Sequence, residues 1–125
     1  MIEGVDGDAR LLGRPRGEVH AAAMQGVLRA GFARLASRHP SFAAGRALGM
    51  MGCIEAHLPA EGRAAAVEAV RVSMLRNGVW GIIRLNAQTG RMDILSSPPL
   101  ITSEQEINDA LDVISEALRI LDAQV

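Results

Sequence analysis

Arg84, with a few neighbouring side chains, is one place in this chain where ligand chemistry is possible. It stands in the apolar, β-branched segment 79–85 (VWGIIRL), which also contains the single tryptophan, Trp80. A guanidinium there can bind a carboxylate through two parallel hydrogen bonds, because its planar fork matches the two oxygens. Trp80 and three nearby polar residues, Asn86, Ser96 and Ser97, could complete a small pocket. Without a facing surface, the favoured alternative is a solvated Arg84 on the polar side of a hairpin, with Trp80 packed across the sheet.

The histidines and the cysteine form no recognisable catalytic or metal-binding pattern. His20, His39 and His57 are far apart, and none shares a helical face with a second ligand type, so we expect surface or cap positions and no metal site. Cys53 has apolar neighbours on both sides, which predicts a buried and unreactive thiol. Glu55 would share a face with His57 only if one strand continues through both residues. The sequence therefore predicts no catalytic residue.

Composition is typical of a single globular domain. The chain has 125 residues, 49% of them hydrophobic, and a formal net charge of −1. This length allows one compact core, and the balanced charge argues against a nucleic-acid partner or a polybasic membrane-binding patch. One cysteine provides no disulfide framework, and no apolar stretch reaches the roughly 20 residues of a membrane-spanning helix. We therefore expect a cytoplasmic protein with no nucleic-acid and no membrane partner.

The hydrophobic pattern predicts an irregular tail over residues 1–17 and one domain over residues 18–125. The tail is rich in Gly, Asp and Arg and has no sustained period. Apolar residues then recur at three- and four-residue steps over residues 18–38, which predicts a helix that ends before His39-Pro40. The short run 47–56 (ALGMMGCIEA) predicts one strand buried on both faces. Pro59 begins a second helix, and Asn77-Gly78 provides its left-handed stop.

The last third of the chain predicts a hairpin and a closing helix. Residues 79–85 and 92–97 have strand character and flank the turn sequence NAQTGR, and Pro98-Pro99 ends the second strand. Two residues can cap a final helix and two can complete a capping box: Thr102 or Ser103, with Gln105 or Glu106. The helix has one apolar stripe: Ile107, Leu111, Ile114, Leu118 and Leu121. The order α-β-α-β-β-α predicts an α+β fold, with a small sheet of about three strands and helices on one face.

Three segments of the sequence resemble the C-terminal small domain of class III (omega) aminotransferases, which are fold-type I enzymes that use pyridoxal phosphate. They are RHPSFAAGRALGMMGCIEA, RNGVWGIIRLN and ILSSPPLITSEQEINDALDVISEAL. The similarity spans residues 24–121 in order, and its most specific part is the ending formed by a strand, Pro-Pro-Leu, Thr or Ser and an acidic helix start. The resemblance implies a small domain that closes over the substrate of a larger catalytic domain.

The resemblance assigns a role to Arg84, but at a second position where many relatives have an arginine this chain has another residue. In relatives that accept both amines and keto acids, a mobile arginine after the NG helix stop binds the substrate carboxylate, and Arg84 matches that place. The segment between Arg84 and Pro98 is longer here than in those relatives. In many relatives that bind an α-carboxylate, a second arginine lies three residues before the first proline, and this chain has Leu95 there.

The resemblance also implies that the catalytic residue lies outside these 125 residues. Aminotransferases hold the cofactor aldehyde through a lysine amine, which then moves the substrate proton. All 13 basic residues of this chain are arginine, and neither arginine nor histidine can replace that lysine. We therefore expect no transamination and no bound cofactor in this chain alone, although the parent family uses pyridoxal phosphate.

Two functions remain open from the sequence. The first is a non-catalytic small domain, either truncated or part of a split enzyme, that would shape the amine and keto-acid site of a complete enzyme. Such a domain would expose a face built to be covered, which favours self-association or a separate large-domain chain as partner. The second is a stand-alone module that binds a small carboxylate at Arg84 or serves regulation or oligomerisation. Another enzyme chemistry is disfavoured, since no nucleophile and base have a telling spacing.

Overall fold

Single helices alternate with pairs of strands, in the order α-β-β-α-β-β-α. A computed structural model describes residues 15–58, 61–86, 88–96 and 102–124. The elements are α1 (Pro15–Arg38), β1 (Phe42–Leu48), β2 (Met51–His57), α2 (Arg63–Arg76), β3 (Ile82–Asn86), β4 (Arg91–Ser96) and α3 (Glu104–Asp122). The α+β class is confirmed, because the helices pack on a small antiparallel sheet. Residues 1–14 of the predicted tail, Pro59, Ser97 and Pro98-Pro99 lie outside the described residues.

The sheet consists of four antiparallel strands in the order β1-β2-β4-β3. Two hairpins, β1-β2 and β3-β4, are joined by pairing between β2 and β4. Ile94 of β4 is aligned with Ile54 of β2 on one side and with Ile83 of β3 on the other. These three side chains belong to one core with residues of all three helices, so the helices cover a single face of the sheet. Because side chains alternate along a strand, their sequence neighbours point to the opposite face.

The run 47–56, predicted from the sequence to be one strand, belongs to two strands joined by a tight turn, so that prediction is wrong. β1 ends at Leu48, β2 begins at Met51, and these two residues are paired. Gly49 has a φ of 57°, a left-handed conformation that glycine adopts without steric cost. The side-chain oxygen of Gln25 accepts a hydrogen bond of 2.7 Å from the backbone N–H of Gly49. The sheet therefore has four strands rather than about three.

Small residues allow α1 to approach both β1 and α3 closely. A Cβ atom at Gly45 would lie 2.8 Å from Cβ of Phe32 and 2.8 Å from Cζ of Phe42. A Cβ atom at Gly31 would overlap a methyl group of Leu111 on α3. This requirement explains why β1 escapes recognition in the sequence, because its FAAGRAL segment lacks the β-branched residues typical of strands.

The ends of the first and last helices follow from local chemistry. Helix α1 begins at Pro15 rather than Glu18, since the fixed φ of proline suits the first helical turn. At the start of α3, Ser103 Oγ accepts a hydrogen bond of 3.1 Å from the N–H of Glu106. In return, Glu106 Oε1 accepts one of 3.1 Å from the N–H of Ser103. The predicted capping box is confirmed, with Ser103 and Glu106 as its two members.

Two predicted turns are also confirmed. After α2, Gly78 has a φ of 83° and its N–H donates to the carbonyl oxygen of Leu75 at 3.1 Å. Between β3 and β4, the N–H of Gly90 donates to the carbonyl oxygen of Asn86 at 2.9 Å. The first turn ends α2 and the second closes the predicted hairpin, so both positions are set by residues readable from the sequence.

One hydrophobic core lies between the helices and the sheet. The stripe predicted for the last helix is buried in full: Ile107, Leu111, Ile114, Leu118 and Leu121. It packs with buried residues of α1 and α2, among them Phe32, Leu35, Val70 and Met74. Burial of this apolar surface holds the sheet in place and fixes which strand residues point away from the core.

Candidate functional site

The candidate site is the face of the sheet that no described helix covers, which we call the open face. Strand register places on it the following residues: Arg46, Leu48, Met51, Cys53, Glu55, His57, Ile82, Arg84, Asn86, Arg91, Asp93 and Leu95. The residues form rows across the strands. Arg46, Cys53, Leu95 and Ile82 make one row, and Glu55, Asp93 and Arg84 make the next. The face consequently divides into an apolar half and a charged half.

The apolar half consists of Leu48, Met51, Cys53, Ile82 and Leu95. Leu48 and Met51 are 76% and 63% exposed, and Ile82 is 52% exposed. Trp80 precedes β3, is 74% exposed, and lines one groove together with Met51, Ile82 and Leu95. Large apolar side chains are normally exposed singly rather than in such a group. This half therefore has the character of a contact surface.

The charged half is centred on Glu55, whose side chain is only 8% exposed. Its Oε1 atom lies 2.5 Å from a guanidinium nitrogen of Arg46 and also contacts a guanidinium nitrogen of Arg91. Glu55 is directly opposite Asp93, and two neighbouring carboxylates repel each other. The two arginines compensate this repulsion. The hydrogen bonds of Glu55 with Arg91, and to a smaller extent with Arg46, lower the pKa of Glu55.

Arg84 differs from the other two arginines of this face. It is exposed and is aligned with Asp93 across the hairpin. Within the part of the chain that the structure describes, Arg84 forms no ion pair, whereas Arg46 and Arg91 both contact Glu55. Its guanidinium is therefore available to a carboxylate from outside the chain. This position is compatible with both interpretations of Arg84 from the sequence. One is a residue on the polar side of a hairpin, and the other is a ligand for a carboxylate.

The other predicted pocket residues are only partly brought together. Asn86 shares the open face with Arg84, but its side-chain oxygen accepts hydrogen bonds of 3.0 and 3.1 Å from the N–H groups of Gln88 and Thr89 in the turn. Ser96 lines the groove that also contains Trp80. Trp80 is exposed, so the expectation that it packs across the sheet onto a helix is wrong. Ser97 lies outside the described residues.

Two other open-face residues differ from the expectation. Cys53 is half-buried on this face and not in the core, because the tight turn at Gly49 sets the alternation of β2 so that Ile54 points to the helices. Burial raises the pKa of the Cys53 thiol, and the Asp93 carboxylate raises it further. Both effects favour the neutral thiol over the thiolate. The sequence alone favours an ordinary surface charge at Arg91, beside the predicted turn, whereas in the structure Arg91 pairs with Glu55.

His39 belongs to a buried hydrogen-bond network that the sequence did not reveal. It is 5% exposed and directly follows the last residue of α1, so of the two expected positions, surface or cap, it has the cap position. Its Nδ1 atom lies 2.5 Å from Asp122 Oδ2, and its Nε2 atom lies 2.6 Å from Ser115 Oγ. Ser41 donates to Asp122 Oδ1 from its hydroxyl at 2.6 Å and from its backbone N–H at 3.1 Å. Burial opposes ionisation of Asp122, but these hydrogen bonds prevail and lower its pKa.

The order serine, histidine and aspartate in this network resembles a hydrolytic triad, but its setting is structural. Ser115 lies inside α3, where backbone N–H groups are used by the helix and cannot serve as oxyanion donors. His39 is nearly inaccessible, and Asp122 is shared with Ser41. The network joins the end of α1, the start of β1 and the end of α3. The only sequence signal for it was His39 directly after the predicted helix end.

A group of metal ligands and a membrane-spanning helix are both absent from the described residues. Within residues 15–58, 61–86, 88–96 and 102–124, no three His, Cys, Asp or Glu side chains are grouped so that they could hold a metal ion. In the same part of the chain, no helix is long and apolar enough to cross a membrane. The side chains of the open face offer charge pairing with carboxylates and contact through apolar groups.

Comparison with solved structures identifies the fold. The chain is similar to a transaminase from the marine bacterium Virgibacillus, with a TM-score of 0.73 and 21% identity over 91% of this chain and 27% of that one. It is similar to an omega-aminotransferase from Paracoccus denitrificans, with a TM-score of 0.71 and 21% identity over 93% of this chain and 26% of that one. A third is the taurine:2-oxoglutarate aminotransferase from Bifidobacterium kashiwanohense in complex with PLP and glutamate, with a TM-score of 0.72 and 14% identity over 91% of this chain and 26% of that one.

No protein-family model and no curated protein matches the sequence. The chain spans only about a quarter of the length of the transaminases it resembles, with 26% to 27% of each chain covered. The resemblance to class III or omega transaminases that the sequence predicts is confirmed at the level of the fold, and this chain has the fold of the small domain of those transaminases.

Proposed function

We propose that these residues serve as the small domain of a pyridoxal-phosphate-dependent aminotransferase and present Arg84 to the carboxylate of amino- and keto-acid substrates. The observation that carries the proposal is the state of the three arginines on the open face. Glu55 pairs with both Arg46 and Arg91, while Arg84 is exposed and without an ion pair among the described residues. A bidentate pair with a substrate carboxylate would satisfy this guanidinium.

The cofactor does not fit this chain alone. Its aldehyde needs an amine that can lose its proton, and the 13 basic side chains are all arginine, which stays protonated. The amine and the cofactor's phosphate site must therefore come from residues outside these 125, either elsewhere in the same polypeptide or on a separate large-domain chain. The role proposed for this domain is limited to binding and orienting the substrate carboxylate and to closing the site against water.

A second candidate function is a stand-alone module that binds a small carboxylate. It is favoured by the same free guanidinium, because Arg84 is accessible without any partner. The two candidates differ in what they require. The module should bind a dicarboxylate such as 2-oxoglutarate by itself, whereas the aminotransferase domain should bind it well only when a facing domain completes the site.

Capture of the protein in its own cells tests the first proposal. The polypeptide that contains these residues would be tagged and isolated, treated with borohydride, and assayed for covalently fixed cofactor fluorescence and for amino-group exchange between amines and keto acids. We expect cofactor fixed to a lysine outside residues 1–125. Arg84→Gln should slow exchange with carboxylate-bearing substrates about tenfold or more, whereas Arg76→Gln, at an exposed position on α2, should not.

Titration of the chain alone separates the two candidates. Calorimetry with 2-oxoglutarate should give no saturable heat if the domain needs a partner, and saturable heat that Arg84→Gln abolishes if it is a stand-alone module. Titration with pyridoxal phosphate should give no new absorbance band and no borohydride-stable adduct. A stable adduct on the isolated chain would contradict the argument from the missing lysine.

A further inference from the structure

A cavity of about 70 Å³ lies in the core between α1, the sheet and α3. One enclosed water molecule needs only about 10–15 Å³ on the same scale, so the space is larger than the voids that packed protein interiors normally contain. Apolar side chains of α1, β2, β4 and α3 form its walls: Leu28, Phe32, Ile54, Ile94, Ile107 and Ile114. Such walls offer a water molecule too few hydrogen-bond partners, whereas an apolar group gains dispersion contacts with them.

Two small residues account for this space and for access to it. Gly52 on β2 and Ala110 on α3 line the cavity at positions where larger side chains would enter it. A Cβ atom at Gly52 would lie only 3.0 Å from Cζ of Phe32. Gly52 and Ala110, together with Ser96, also line the surface groove that contains Trp80. A ligand can therefore reach the cavity from this groove.

The polar residues of the lining all lie at one end of the cavity. Ser96 is the last residue of β4, and Thr102 and Glu106 lie at the start of α3. The carbonyl oxygen of Thr102 accepts a hydrogen bond of 2.7 Å from His20 Nε2, whereas the exposed Ser96 hydroxyl can pair with a hydroxyl group of a ligand. Hydrogen bonds from Ser103 lower the pKa of Glu106, so its carboxylate is charged at neutral pH and repels an anionic head group.

We propose that this cavity is a binding site for a small uncharged aliphatic molecule, a primary alcohol whose chain enters the cavity while its hydroxyl group stays beside Ser96. The volume corresponds to about five enclosed water molecules. A methylene group is similar in size to a water molecule, so a chain of about four or five carbons fills the space. The inference does not rest on the aminotransferase relation, because the site lies within the core of this chain.

A series of alcohols from propanol to heptanol tests the site in the whole chain. Methyl resonances of the isotopically labelled protein would be followed between about 0.05 and 20 mM alcohol, a range that brackets millimolar dissociation. We expect saturable shifts of the wall residues Leu28, Ile107 and Ile114. Each added carbon should strengthen binding about fourfold until the cavity is filled near pentanol, and longer alcohols should gain much less. Pentanoate should bind about tenfold more weakly than pentanol, because its carboxylate meets Glu106.

Two alanine substitutions locate the binding. Ala110→Leu places a larger side chain where the groove meets the cavity and should weaken pentanol binding by about tenfold or more. Ala23→Leu is the matched control, because Ala23 is exposed on α1, outside the cavity and the groove. It should bind pentanol like the unchanged protein, and far-ultraviolet circular dichroism should show both variants folded.

The chain-length limit is measured on the unchanged protein, so it does not depend on how the variants fold. The absence of saturable shifts with every alcohol would overturn the proposal. Affinity that keeps rising through heptanol, with shifts confined to the groove around Trp80, would indicate adsorption to the apolar surface and would overturn it as well. So would equal pentanol binding by Ala110→Leu and Ala23→Leu.

Discussion

His39 and Asp122 are joined by a contact of 2.5 Å between Nδ1 and Oδ2, although 83 residues separate them in sequence. His39 follows α1 directly, and Asp122 is the last residue of α3. The pair therefore holds the two helices that pack against each other beneath the sheet. Because His39 is nearly inaccessible, removing either partner leaves a buried polar group without its hydrogen bond.

Asp122→Asn should lower the free energy of unfolding at pH 7 by about 1–3 kcal/mol, because it weakens the hydrogen bonds with His39 and Ser41. Urea denaturation followed by circular dichroism measures the change. Asp112→Asn is the matched control, since Asp112 is exposed on the same helix. An equal effect at both positions would show that the change reflects helix charge and not the network.

The contribution of Asp122 should depend on pH in a defined direction. Its pKa is lowered in the folded protein, so the folded state binds the proton less readily than the unfolded chain, whose aspartates titrate near pH 3.9. The stabilisation is then fully present above that value and is lost as the pH falls through the lower folded pKa. The difference in unfolding free energy between the unchanged protein and Asp122→Asn should shrink below about pH 4. A difference that grows on acidification would contradict the assignment.

Glu55→Gln should destabilise the protein and free two arginines of the open face. The pKa of Glu55 is lowered by Arg91 and Arg46, so its stabilisation is present above the unfolded value near pH 4.3 and is lost as the pH falls through the folded value. The urea midpoint at pH 7 should fall relative to the unchanged protein, and the two should converge in acid. Glu61→Gln, at an exposed position outside the sheet, should leave the midpoint unchanged.

Two glycines of α1 provide a matched test of helix packing. Gly31→Ala should cost about 1–3 kcal/mol, because the added methyl group would overlap the buried side chain of Leu111. Gly26→Ala should stabilise by about 0.5–1 kcal/mol, because nothing lies within 4 Å of the new Cβ atom and alanine is the better helix former. Thermal or urea unfolding of both variants distinguishes the signs. Equal effects would refute the close approach of α1 and α3.

Cys53 should react slowly with a soluble disulfide reagent. Burial raises the pKa of its thiol, and Arg46 offsets this only in part, so at pH 8 less thiolate is present than in a free cysteine. We expect the native protein to react at least several-fold more slowly than the same protein in urea, since each pKa unit changes the thiolate fraction about tenfold. A native rate equal to the denatured rate would contradict the position of Cys53 on the sheet.

The elements with strong local signals could be predicted from the sequence. The capping box at Ser103 and the Asn77-Gly78 stop specify α2 and α3, because these residues make hydrogen bonds with their own segments. Strand β1 could not be predicted, since its small residues are selected by Phe32, which is distant in sequence. The His39 network is equally non-local. Arg84 was singled out through the resemblance to class III aminotransferases, in which an arginine follows the NG helix stop. The exposure of Trp80 was not predicted, because it depends on which face of the sheet the start of β3 presents this side chain to.

The alternation of β2 has a consequence for how the chain can change in length. Gly52 and Ile54 both face the helices, and β2 is paired on both sides. One residue inserted between them would send them to opposite faces, and two would restore the alternation but displace both neighbouring pairings. Insertions and deletions during evolution should therefore be excluded from this strand and confined to connections such as that between β3 and β4. The length of β2 is therefore fixed by the residues that it places on both faces of the sheet.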